Sequence, residues 1–253
     1  MTRGNPSHVR LTYKLNGSEI TAVYKVDDRM LGVAQIWSGR QKTAPAAEEV
    51  ARWLERKGAV LDSPTNPSYI RRDADGTIEA IYYRNGLMHR DHGPASSWRN
   101  GEGSTLKEYW RNGKLHRKDA PAIVRRDADG SMIDEYYRDG LSHRSNGPAL
   151  VVRLANGLME ERYCRNGKQH REDGPAHVLR EADGSSVEEY YRNDKLHRAD
   201  GPADIMREAD GSSVERYLWK GKLLKTEKHF AITAIRGITM VPGRARRPAN
   251  PAP

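Results

Sequence analysis

Tyr190-Tyr191-Arg192-Asn193-Asp194-Lys195-Leu196-His197-Arg198-Ala199-Asp200-Gly201-Pro202-Ala203 is one copy of a motif that recurs through most of this chain. Its leading tyrosine reappears at Tyr82, Tyr109, Tyr136, Tyr163 and Tyr217, so the interval is 27 residues each time (82 to 109, 109 to 136 and onward). Pro67, Pro94, Pro121, Pro148, Pro175 and Pro202 keep the same phase, as do Gly76, Gly103, Gly130, Gly157, Gly184 and Gly211. A fixed period of this size without insertion or deletion marks stacked supersecondary units.

One unit reads outward from Pro175. Ala176 to Arg180 predicts a short strand, Asp183-Gly184 a turn, Val187 to Arg192 a second strand and Asn193-Asp194 another turn; Lys195 to Arg198 then runs into the bend Asp200-Gly201-Pro202. Glycine and asparagine supply the positive-φ positions of such turns, and proline re-enters the next strand with φ preset. The bend glycine, Gly174 in the preceding copy, is expected to need that freedom. Each unit is thus a hairpin plus a return loop. A lone hairpin is marginal in water, so the units must stack edge to edge and their cross-strand pairs must carry the stability. Strand parity puts Val187 with Tyr191, Leu106 with Trp110 and Ile133 with Tyr137 on one face, expected to be the packed one, and turns the leading tyrosines the other way.

Residues 1–66 differ. Val9, Leu11, Tyr13 and Leu15 alternate, as do Ile20, Ala22, Tyr24 and Val26 after Asn16-Gly17, which reads as a hairpin; Met30 to Trp37 offers a third strand. From Ala44 to Lys57 the period turns helical, with Thr43 as cap and Gly58 as stop. This predicts a small ββ(β)α domain that either shields the open edge of the first repeat or recognises something itself. The expected fold class is mainly β: an elongated antiparallel β-hairpin repeat array over 67–230 with a small α/β N-terminal cap. Residues 231–253 form a basic, Pro-rich tail without apolar periodicity, which reads as disordered.

Composition agrees with a thin array. Hydrophobic residues are only 36% and charged residues 30%, too lean for a thick core. The single Cys164 excludes an intramolecular disulfide framework, and neither a membrane-length apolar run nor a secretory signal is present, so a cytoplasmic location is expected. The net charge of +9 is unevenly placed. Residues 67–230 carry 29 Lys/Arg against 27 acids, whereas 231–253 carry four Arg and no acid. The even balance argues against a continuous basic face on the array, leaving local stripes open.

The residues then resemble a family, the MORN repeat, whose unit runs roughly Asp-Gly-Ser-x-Tyr-Glu-Gly-x-Trp-x-Asn-Gly-Lys-x-His-Gly-x-Gly. Asp183-Gly184-Ser185 opens the unit, Tyr191 falls at the tryptophan position, Trp110 keeps the tryptophan, and Asn112-Gly113-Lys114-Leu115-His116 and Asn166-Gly167-Lys168-Gln169-His170 match the next part. The resemblance covers 67 to about 223. Two departures mark a variant class. His170-Arg171-Glu172-Asp173-Gly174-Pro175-Ala176 replaces the compact His-Gly-x-Gly, and the family's mid-strand glycine is Glu108, Glu135, Arg162, Glu189 or Arg216. The resemblance implies a twisted hairpin array used as a scaffold or binding surface, without catalysis in the repeats. Similar arrays in bacterial and viral proteins imply an accessory role, such as inhibiting a host protein or neutralising a toxin.

The candidate binding residues are the leading tyrosines, Tyr82, Tyr109, Tyr136, Tyr163, Tyr190 and Tyr217. At two strands of about 4.8 Å per unit they recur about every 10 Å, either as a binding stripe or as packing under the return loops. His89, His116, His143, His170 and His197 recur beside Arg90, Arg117, Arg144, Arg171 and Arg198. Stacking holds them too far apart to share an ion, so a bracing role is expected: Arg171 to Asp173 and Arg198 to Asp200 as ion pairs, the imidazoles to loop carbonyls. Cys164 stands in an aromatic slot as a packed thiol. With no phosphate loop, nucleophile elbow or zinc-spaced cysteines, neither an enzyme, a metal site nor a cofactor is expected. The partner is expected to be another protein along the extended β surface. The alternative is electrostatic attachment to nucleic acid or anionic membrane through Arg244, Arg246 and Arg247.

Overall fold

The computed structural model describes residues 66–231 apart from residue 74, together with the backbone of the strands at 7–15, 18–27, 30–36 and 60–61. The helix expected at 44–57 and the tail with Arg244, Arg246 and Arg247 lie outside the described residues.

Thirteen strands, from Tyr69–Arg72 to Lys222–His229, follow one another in a single antiparallel sheet in which each pairs with its sequence neighbour of the same class. Twelve interstrand steps of about 4.8 Å give the sheet a length of about 58 Å. At its first edge Ser7–Leu15 pairs with Tyr69–Arg72, Ser18–Asp27 pairs with Ser7–Leu15, and Met30–Ile36 pairs with Ser18–Asp27. No helix is found among the described residues, and none there is long and apolar enough to cross a membrane.

The second strand of the unit is shorter than the sequence pattern predicts. It ends at Glu189, and the chain opens a second, smaller hairpin, Tyr191–Arg192 with Lys195–Leu196. The break falls at the leading tyrosine. The Tyr190 N–H donates to the Ala203 carbonyl at 2.7 Å, while its own carbonyl accepts from the His197 N–H at 2.8 Å. Pro202, next in register, has no N–H with which to continue the ladder. Five such small hairpins run from Tyr83–Arg84/Leu87–Met88 to Tyr191–Arg192/Lys195–Leu196. They stack as a second column beside the main sheet. Gly113 N–H donates to Met88 O, Gly140 to Leu115, Gly167 to Ser142 and Asp194 to Gln169, at 2.8–3.0 Å.

The turns follow their residues. Asn112 (φ 49°) and Gly113 (φ 73°) are both left-handed, as a type I′ turn requires. Asn193 (φ 51°) is followed by Asp194 (φ 64°) where the other copies have glycine. Its carboxylate accepts the Gln169 N–H at 2.7 Å, which offsets part of the strain.

The tightest packing lies where proline leads back into the sheet. Ala95, Ala122, Ala149, Ala176 and Ala203 are 0–1% exposed, so the position takes only a small side chain. Ser68 takes this place in the first unit and accepts the Tyr83 N–H at 3.3 Å. Val187, Ile133 and Leu106, expected on the packed face, are half-buried. The buried Val178 and Ile205 pair with Glu188 and belong to the opposite face. Among the described residues the buried apolar side chains are the five alanines with Val178 and Ile205.

Candidate functional site

Five of the six leading tyrosines stand under an arginine from their own return loop. The guanidinium carbons of Arg90, Arg117, Arg144, Arg171 and Arg198 lie 3.7–4.1 Å from the ring centroids of Tyr82, Tyr109, Tyr136, Tyr163 and Tyr190. A guanidinium is planar and weakly hydrated, so it covers a ring face with both packing and electrostatic gain. The arginine also closes the bend, as Nη1 donates to the carbonyl of the proline four residues on, Arg144 to Pro148 at 3.1 Å and Arg171 to Pro175 at 3.3 Å. The expected ion pairs are present: Arg171 Nε to Asp173 at 3.0 Å and Arg198 Nε to Asp200 at 3.1 Å. They hold both carboxyls below the usual range. In the first three copies His92, Asp119 and Asn146 stand in that place, and the guanidinium keeps its ring without such a pair.

The histidines link units instead of bonding loop carbonyls. Nδ1 of His89 lies 2.7 Å from Asn112 Oδ1, and Nδ1 of His143 lies 2.8 Å from Asn166 Oδ1. The Asn112 and Asn166 backbone N–H groups donate to the same nitrogens at 3.1 Å. The next unit's type I′ turn leaves that N–H pointing outward, and the imidazole satisfies it before any carbonyl of its own loop comes within reach. His116 meets Asp139 in the same way at 2.8 Å.

Gly174 has no positive φ, contrary to expectation; a Cβ there would instead lie 3.0 Å from Arg171 Cζ. Gly147 (φ 128°) and Gly93 (φ 102°) do occupy the left-handed region. The bend therefore has two forms that serve one purpose, leaving space over which the guanidinium folds.

A groove opens between successive return loops. One of about 740 Å³ is lined by Arg171, Asp173, Tyr190, Arg192, Arg198 and Asp200 among others. The equivalent space one unit earlier, about 610 Å³, is lined by Arg144, Tyr163, Arg165, Arg171 and Asp173, and a third of about 260 Å³ by Arg117, Tyr136, Arg138 and Arg144. Tyr136, Tyr163 and Tyr190 thus each border a groove while one ring face is covered by arginine. Tyr82 and Tyr109 have the same arginine cover. Tyr217 differs: Lys225 Nζ is 5.2 Å from its ring, and its O–H donates to Glu227 at 2.9 Å.

A polar cluster on the sheet was not anticipated. His177 stands between two carboxylates, Nδ1 2.8 Å from Glu189 and Nε2 3.1 Å from Glu160, and this imidazole holds the Glu189 carboxyl low. Beside it Asp204, 3% exposed, pairs with Arg216 at 2.7 Å, and burial pushes its carboxyl up. The available signal was phase: His177 and Asp204 occupy the column that holds Ile123 and Leu150 in other units. Where the mid-strand residue is an acid it serves the second aromatic of its unit, as Trp110 Nε1–H donates to Glu108 at 3.3 Å. Tyr137 O–H donates to Glu135 at 2.9 Å, and burial with that acid pushes the phenol up to about 12. Cys164 is half-buried and its thiol is pushed up by burial.

Glu215, Glu227 and His229 bring donor atoms within 4.8 Å of one another, the one such metal-capable group among the described residues. Tyr217 O–H and the Lys225 ammonium already bind these carboxylates. Comparison of the chain with protein-family models and with curated proteins found no match.

Proposed function

We propose that this chain is a non-enzymatic repeat scaffold of MORN-like type that binds another protein along the hairpin-and-loop side of its array. The observation that carries the reading is the recurrence of one groove in successive units, each bordered by a leading tyrosine and the arginines of two loops. A repeated concave feature on a rigid frame offers a partner many equivalent contacts at low entropic cost, and tyrosine and arginine are the side chains that most often anchor interfaces. The binding residues proposed are Tyr136, Tyr163 and Tyr190 with the arginines around them, and by repetition Tyr82 and Tyr109. An accessory role as an inhibitor or antitoxin-type factor fits a scaffold without catalytic groups.

The test is capture of the partner from the native cell by the full chain, followed by groove-filling variants. Ser145→Trp, Glu172→Trp and Ala199→Trp together place bulk at exposed groove residues and leave the tyrosine–arginine pairs in place. The captured protein should be lost with the circular dichroism spectrum unchanged, and kept on truncation after Met240. Retention by the filled variant together with loss on truncation would transfer binding to the tail.

A further inference from the structure

The near-neutral charge of the array conceals a segregation that the fold turns into geometry. The five hairpin-and-loop segments, 82–94, 109–121, 136–148, 163–175 and 190–202, hold 14 Lys/Arg against 7 Asp/Glu. The five strand-and-turn segments between them, 95–108, 122–135, 149–162, 176–189 and 203–216, hold 9 against 16. The two halves therefore carry +7 (14 − 7) and −7 (9 − 16) and cancel along the chain. They do not cancel in space. The inter-hairpin bonds from Met88 O to Gln169 O stack every cationic segment in one column, while the acidic turns Asp127–Asp129, Glu181–Asp183 and Glu208–Asp210 lie at the other end of the strands. Arg111, Lys114, Lys118, Arg138, Lys168 and Lys195 are exposed on that column and form no ion pair among the described residues.

From this segregation we infer that the proposed partner presents an acidic peptide segment in the polyproline II conformation, whose carboxylates recur every third residue and lie along the cationic column, one to a groove; the inference rests on the scaffold reading above. The spacing carries the period. Two strands per unit give a rise of about 9.6 Å, and one turn of polyproline II peptide, three residues, advances about 9.3 Å and returns the side chain to the same face. Each third side chain then meets the arginine that opens the small hairpin, Arg138, Arg165 or Arg192, beside a tyrosine–arginine pair, with Arg165 and Arg192 also 3.9–4.0 Å from Glu172. Residues between them face Asp173, Glu172 or Asp200 at the groove walls, where uncharged side chains are accepted and a second carboxylate is repelled. A nucleic-acid strand fits less well. Its unbroken phosphate charge would meet those same acids, and Tyr136, Tyr163 and Tyr190 each have a ring face already covered by a guanidinium, which removes a platform for base stacking.

The experiment is fluorescence anisotropy of the full chain with four labelled probes: five Glu-Pro-Ala triplets, an isomer with its five glutamates contiguous, the triplet peptide with Lys for Glu, and a single-stranded oligonucleotide of equal length. The triplet peptide should bind at least about fivefold tighter than its isomer and weaken with added salt, and the lysine peptide should not bind. Arg111→Glu, Lys118→Glu and Arg138→Glu combined should weaken the triplet peptide at least about tenfold with the circular dichroism spectrum unchanged. The variant keeps the tail, so an unchanged affinity would assign binding to Arg244, Arg246 and Arg247 and overturn the proposal. Equal affinity for the two isomers would remove the three-residue period and overturn it as well. An oligonucleotide bound more tightly than the triplet peptide, and lost in the variant, would overturn both this inference and the protein-scaffold reading. Absence of binding by every probe, with the captured protein still held by the tail-truncated chain, would overturn the acidic peptide alone.

Discussion

The unit led by Tyr190 and the one led by Tyr217 begin alike and finish differently. After Tyr190 the chain leaves the main sheet, forms the small hairpin and returns through Pro202 to begin another pair of strands. After Tyr217 it stays in the sheet: Ser213–Trp219 pairs with Lys222–His229 through to Trp219↔Lys222, with one register shift at Tyr217/Leu218. Aligned by the period, His197, Arg198, Gly201 and Pro202 are matched by Leu224, Lys225, Lys228 and His229. The last unit keeps the tyrosine and a cation but has lost the planar guanidinium, the space at the bend and the residue without an N–H. Without them nothing diverts the chain, and it recovers its ladder bonds by pairing directly. The return motif is therefore what turns a hairpin into a unit that can be followed by another.

The largest way to break this comparison is to replace residues 197–202 by those of 224–229, Leu-Lys-Thr-Glu-Lys-His. The transplanted stretch should run straight back along Ser186–Glu189, the edge that Asp204–Arg207 now occupies. Hydrogen exchange should then show residues 203–231 unprotected while the units before 190 keep their protection. Protection of Ile205 as in the parent would mean that the strands, not the return motif, place the next unit.

A smaller break removes one pillar. Arg144→Ala loses both the Tyr136 stack and the bond to the Pro148 carbonyl, and should cost about 1–3 kcal/mol in chemical denaturation. Arg144→Lys, which resembles Lys225 in the last unit, should recover only part of that. A lysine variant as stable as the parent would show that the planar group is not required.

The bend glycines sharpen the comparison further. Gly147→Ala places a Cβ at φ 128° and 3.2 Å from Arg144 Cζ, so both strain and crowding should act, for about 1–3 kcal/mol. Gly174→Ala meets only the crowding, and Ala120 occupies the equivalent place in another unit, so its cost should be under about 1 kcal/mol. Thermal melts that reversed this order would contradict the assignment of two bend forms.

The smallest effect concerns the sheet cluster and has a definite sign. Asp204 has its carboxyl raised by burial, so ionising it opposes folding: its contribution worsens as pH rises through the folded value and recovers as pH falls toward the unfolded one. Glu189, lowered by His177, acts the other way and contributes above its unfolded value. Asp204→Asn should melt slightly higher than the parent at neutral pH, with the advantage gone below about pH 4. A lower melting temperature at neutral pH would show that the Arg216 pair outweighs the burial.

How much of this could be read from the residues follows from the range of each interaction. Asn112-Gly113 fixes its turn locally because both positions need positive φ, and that turn was legible. So was Arg198 with Asp200, two residues apart. The small second hairpin was hidden because its strands are only two residues long and its first one continues an apolar alternation through Tyr191. Arg198 over Tyr190 closes across a loop whose path had to be known first. The link from His143 to Asn166 spans 23 residues, four short of the period, and needs the stacking register to be seen. Charge segregation was masked by summation, since 14 against 7 and 9 against 16 give zero over the five units.

The central claim, that the hairpin-and-loop column is the surface a protein partner grips, is tested most directly by hydrogen exchange of the full chain alone and with its captured partner. Added protection is expected in peptides covering 136–148, 163–175 and 190–202, recurring at the 27-residue period and absent from the turns at 127–131, 181–185 and 208–212. Protection confined to those turns, or to residues 232–253, would contradict it.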